Sequence, residues 1–182
     1  MAEDGAMELD VIAVGAHPDD VEIACGGTLA KTFRKHKPKL VIGFGGKTVM
    51  ASPDHYQAMQ ITDAAVFYSR LTKWDEHFDG LPVHTISAQL GFAISLHSLE
   101  TPEASGVIVT DIGDTLAAKV AAIRCYETQF PAKKAGIFSA IETMNRYHGL
   151  TAGFEAGELF LTYRSVGVVD LMRWACPGQA RS

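Results

Sequence analysis

The sequence predicts an α/β protein with a Rossmann-like, mostly parallel sheet flanked by helices. Three observations predict it. Short β-branched apolar runs, "LDVIAVGA" and "LVIGF", have the composition of strands buried on both faces. A helix-length segment separates them, which makes a right-handed βαβ unit. Histidine- and acid-bearing stretches then follow each run, where open α/β sheets carry their sites. The length, 182 residues, suits a single domain, 1–182, with a core of its own.

The elements follow in order. "LDVIAVGA" is the first strand. Val21 to Lys35 reads as a helix that packs its Gly26-Gly27 pair closely against the sheet. Lys37-Pro38 ends it, and Leu40 to Phe44 is the second strand. "GGKTVMA" is a loop. Ser52 is suited to cap the next helix, with Pro53 at its first position and Asp54 at its positive end, and the helix is expected to run to about Leu71. Between Asp75 and Gly106 the strand-like pieces are "VHTISA" and "FAISL". "GVIVTDI" is a strand. Asp114 is placed to cap a helix bearing Leu116, Val120, Ile123 and Phe130 at helical spacing. Another helix is expected from Ile137 to Tyr147, stopping at Gly149, before the late strand "GELFLTY". Residues 175–182 read as a frayed tail.

Composition narrows the function. A net charge of −5 argues against a general nucleic-acid or anionic-membrane partner. The basic run "KTFRKHKPK" reads as a solvated helix end meeting the helix dipole. "MAEDGAMELD" is acidic and unlike a secretory signal, and the apolar run after it is too short to span a membrane. Cys25, Cys125 and Cys176 are widely spaced and odd in number, so neither a disulfide framework nor a zinc ribbon is expected. A cytoplasmic setting is expected.

The chemistry lies in two clusters. His17, Asp19 and Asp20 follow the first strand, and Asp54 and His55 follow the second. If those strands are neighbours, both clusters face one crevice. His17, Asp20 and His55 would then offer a divalent metal, zinc first among several, two imidazoles and a carboxylate, with one position open for water. Asp19 would remain as a nearby base for water acidified by the metal. Each residue also has a plainer use. His17 could be an ordinary hydrogen-bonded residue, Asp19 and Asp20 helix caps, and Asp54 and His55 partners of the helix dipole.

"AHPDDVEIACGGTLAK" closely resembles the opening motif of the LmbE-like (PIG-L) deacetylases. The resemblance resumes at "KPKLVIGF" and "SPDH", and continues through "VTDIGDTLAAKVAAIRCYETQF", "RYHGLTAGFEAGELF" and "VVDL". It is nearest to the bacillithiol-pathway branch. The resemblance implies an LmbE-like fold and a zinc-dependent hydrolase that removes acetyl groups from N-acetylglucosamine-type conjugates, by attack of metal-bound water. It also implies His17, Asp20 and His55 as ligands, Asp19 as general base, a small N-acetylated sugar conjugate as partner, and a homo-oligomer. Two departures stand out. Ser52 occupies the place of the first histidine in the family's His-Pro-Asp-His, a residue that serves the oxyanion or acts as an acid. A block of several tens of residues that the family carries between "GGTLAK" and "HKPKLV" is missing, so the chain is shortened around 31–39 and lacks several central elements.

These departures keep a second expectation open: a weak or inactive pseudoenzyme of the same fold, acting by binding or assembly. A receiver-like phosphorylation module would need an acceptor aspartate at the end of another central strand, and "LVIGFGGK" has none. A dinucleotide-binding domain would need G-x-G-x-x-G after the first strand, which is absent.

Overall fold

The computed structural model describes residues 11–13, 33–47, 52–94, 106–131 and 135–175. Among them five strands form one sheet: β1 (Val11–Ala13), β2 (Leu40–Phe44), β3 (Ala88–Phe92), β4 (Gly106–Asp111) and β5 (Gly157–Thr162). The helices are α1 (Asp54–Tyr68), α2 (Leu116–Arg124), α3 (Gly136–Ala152) and α4 (Leu171–Ala175). Residues 33–36 are also helical and lead into β2.

The order across the sheet is β1-β2-β3-β5-β4. The first two pairings, β1 with β2 and β2 with β3, are parallel. The last two, β3 with β5 and β4 with β5, are antiparallel. The class is thus the expected α/β, with a parallel half carrying the motifs and an antiparallel half completing the sheet. β1 is the terminal strand among the described residues.

β2 matches the expected "LVIGF" and buries Val41 completely. Val41 packs with Phe33, Ala65 of α1 and Phe78 in one core cluster. A second cluster joins Leu116 and Val120 of α2 to Phe138 of α3 and to Ala156.

Several elements differ from expectation. α1 ends at Tyr68, where Ser69 returns its N–H to the Ala65 carbonyl and its hydroxyl to that of Val66. The strand after α1 is "AQLGF", the link between the two predicted pieces. "VHTIS" is drawn away from the sheet instead. His84 donates its backbone N–H to Ser69 O at 3.0 Å, and its Nε2 pairs with Pro38 O at 2.8 Å. β3 has little β propensity of its own; pairing with strands on both sides makes it a strand.

Asp114 does not cap α2. It lies in a 3₁₀ turn, Gly113–Thr115, and Thr115 precedes the helix without a side-chain cap. Phe130 lies beyond α2, whose last residue is Arg124. α3 runs through Gly149 to Ala152 and ends at Gly153, which takes the left-handed conformation (φ 79°) that glycine adopts freely. Gly149 has a packing role: a Cβ there would stand 2.6 Å from the Ala156 backbone.

The basic run is the largest surprise. Arg34 is completely buried rather than solvated. Its Nε donates to Ser69 O at 3.1 Å, and Nη1 reaches both Leu81 O and Asp75 Oδ1 at 2.9 Å. Nη2 donates to Leu71 O, and the guanidinium lies 4.2 Å from the centre of the Phe78 ring. A planar fork with five donors reaches loop carbonyls spread around it, where an ammonium has three donors on one atom.

Candidate active site

The parallel pairing of β1 with β2 sets the geometry of the site. Ala13 lies opposite Ile42, so the two strands run out at the same end of the sheet. His17, Asp19 and Asp20 follow β1 in sequence but lie outside the described residues. Their arrangement therefore stays an expectation. His55 is described. It stands in the first turn of α1, half-buried, with its ring stacked on Phe44, the last residue of β2. The ring centres are 4.5 Å apart and the planes 26° from parallel. Stacking through the face directs both imidazole nitrogens along the ring plane, not into Phe44.

α1 begins at Asp54, one residue later than expected, with Pro53 at its cap. Ser52, expected as the cap, lies one residue outside it and accepts only a long bond, 3.4 Å, from the Asp54 backbone N–H. The Ser52 hydroxyl also donates to the Asp54 carboxylate.

Close backbone approach holds this end of the sheet together. Gly45 donates its N–H to Phe92 O at 2.8 Å, beyond the last paired residue of β2. A Cβ on Gly91 would come within 2.5 Å of both the Gly45 Cα and the Tyr163 hydroxyl. Tyr163 thus crosses the space that glycine leaves open and donates to Phe44 O at 3.2 Å. Burial, reinforced by the charge of Asp63, pushes its phenol up to about 12. Burial also raises the Asp63 carboxyl, partly opposed by a 2.6 Å hydrogen bond from Gln89. The Tyr163 contact is one that sequence reasoning missed. It steadies the carbonyl of the residue on which His55 rests, and a tyrosine after a late strand carries no signal of that.

Among the described residues no group of three His, Cys, Asp or Glu side chains is placed to hold a metal. The candidate set takes only His55 from them. The donor chemistry of that set nonetheless fits a divalent cation: two neutral imidazoles and a carboxylate are a usual ligand set for catalytic zinc. The structural contribution is a half-buried imidazole, held by its face at the carboxyl end of β2.

No known family profile matches the chain. Solved structures do. The conserved protein TT1542 from Thermus thermophilus aligns with a TM-score of 0.62 at 20% identity, over 88% of this chain and 97% of that one. The N,N'-diacetylchitobiose deacetylase from Pyrococcus horikoshii aligns with a TM-score of 0.62 at 18% identity, over 82% of each chain. The chain thus shares its α/β fold with these proteins. The 4-carboxy-2-hydroxymuconate hydratase GalB from Pseudomonas putida aligns with a TM-score of 0.64 at 17% identity, over 87% of this chain and 65% of that one. At these identities the likeness is one of fold. One neighbour is a deacetylase and another a hydratase, so the fold alone does not name a reaction. Among the described residues no helix is long and apolar enough to cross a membrane.

Proposed function

We propose that the chain is a metal-dependent amide hydrolase that removes the acetyl group from N-acetylglucosamine-type conjugates. The observation that supports this is His55, fixed against Phe44 at the carboxyl end of β2, the strand paired in parallel with β1. In sequence β1 is followed by "VGAHPDD", so the second imidazole and the carboxylates come only a few residues after that strand. His17, Asp20 and His55 would hold the cation, with zinc the first choice. When bound, such a cation polarises a carbonyl and acidifies water to near neutrality. Asp19 would take the proton from the attacking water and return it to the departing nitrogen as the C–N bond breaks. Acetate and a free amine leave. The shortened first crossover, the likeness to the bacillithiol branch and self-association belong to the same proposal. Acetate release from an N-acetylglucosamine conjugate, measured before and after chelation and with zinc restored, tests it. Release that chelation does not touch, or none at all in the zinc-loaded protein, contradicts it.

One observation favours the second reading, a weak or inactive relative. Ser52 stands where the resembled family has a histidine, and its hydroxyl is already given to Asp54. A donor so engaged has little to offer a developing oxyanion, and losing such a donor costs about 10²–10³ in rate. Ser52→His should therefore raise turnover markedly while zinc content stays constant. No gain with zinc retained would favour the binding role.

A further inference from the structure

A cavity of about 810 Å³ opens beside the carboxyl end of β3, between β5, α2 and α3. That volume is in the range of small-molecule sites. Phe92 and Phe160 line it from the sheet, Ile123 from α2, and Ile141 and Met144 from α3. Strand register sets Phe44, Phe92 and Phe160 opposite one another across β2, β3 and β5, and residues so paired share a face of the sheet. The rings of Phe44 and Phe92 are 4.5 Å apart, and His55 stacks on Phe44. An aromatic row therefore leads from His55 into the cavity.

The polar corner of the cavity limits what can enter. Lys119 Nζ donates to Glu158 Oε1 at 2.6 Å and to Asn145 Oδ1 at 3.0 Å. Asn145, itself buried, spends its amide N–H on Ile141 O at 2.8 Å. The ion pair cancels its own charge, so an anion entering the cavity meets no net positive charge. His148 also lines the cavity; burial, and then the charge of Lys119, favour its neutral form. The space offers apolar surface and no net charge.

We propose that this cavity is the aglycone subsite of the same catalytic centre, and that it selects N-acetylated sugar conjugates carrying an uncharged alkyl or aryl group. The inference rests on the deacetylase reading above for the chemistry, but not for the binding. Isothermal titration with methyl, octyl and carboxyalkyl β-glycosides of N-acetylglucosamine tests it, the octyl glycoside being kept below its micelle-forming concentration. The octyl glycoside should bind at least about tenfold more tightly than either of the others, because its chain leaves water for an apolar lining. Ile141→Trp, which fills the cavity, should cut that advantage to about twofold or less and leave the methyl glycoside unaffected. If circular dichroism shows that this variant does not fold, Met144→Gln serves, since it keeps the volume and removes the apolar wall. Acetate release is measured on the same samples. A tenfold octyl preference without acetate release would leave the subsite standing and remove the deacetylase reading. Acetate release with equal affinity for all three glycosides would do the reverse. A preference that survives the folded variants, or no binding of any glycoside, overturns the subsite.

Discussion

The two ends of β2 are built in opposite ways. At the amino end, Arg34 is buried and tied to the carbonyls of Ser69, Leu71 and Leu81, while His84 closes over Pro38. At the carboxyl end, Gly45 and Gly91 bring backbones together, three phenylalanines lie in a row, and a cavity opens beside them. One end saturates its polar groups; the other leaves space and presents an imidazole. Under the proposed function, stability and chemistry would be divided between the two ends of one strand, so substitutions at each should separate them.

The largest expected effect on stability is at the closed end. Arg34→Ala strips the buried donors from three carbonyls and from Asp75, and should cost about 3–5 kcal/mol in urea unfolding. Arg34→Lys should recover only part of it, because an ammonium cannot reproduce the planar fork. A loss under ~1 kcal/mol would mean that water replaces the guanidinium easily and that this end is not closed.

Tyr163→Phe at the open end should cost about 1 kcal/mol, the worth of one hydrogen bond. It should also change the alkaline limb. The Tyr163 phenol titrates higher folded than unfolded, so the stability it lends is full below about 10 and is lost as pH rises through about 12. In Tyr163→Phe that limb should flatten, which unfolding midpoints across this range would show.

The smallest effect concerns His148 on the cavity. Its folded value lies below the ordinary one, because burial and Lys119 disfavour the cation. The unfolded chain then takes the proton first, so the contribution is complete above about 6.5 and declines as pH falls below it. His148→Gln should weaken that acid-side decline. An unchanged acid limb would show that His148 gains enough solvent to titrate normally.

What could be read in the sequence was what short-range chemistry controls. "LVIGF" is apolar and β-branched enough to be recognised as a strand, and "SPDH" marks the start of α1 within two residues. The position of His55 in the first turn of α1 was legible for the same reason. What escaped depends on partners far along the chain. Arg34 looks like any cation in a basic run until the loop at 69–81 folds over it. β3 is a strand because β2 and β5 flank it, not because "AQLGF" favours one. Gly149 and Gly153 are equally good helix stops in sequence, and only the approach of Ala156 tells them apart. The aromatic row needs the register of three strands, which no local pattern carries.

Metal stoichiometry in His55→Ala tests the central claim most directly. The wild-type chain should bind one zinc per chain, and His55→Ala should bind none above background while its circular dichroism is unchanged. Asp19→Asn, which removes a base and leaves the three ligands, should keep the full equivalent and lose acetate release. Full zinc content in folded His55→Ala would contradict the account, because the carboxyl end of β2 would then take no part in holding the metal.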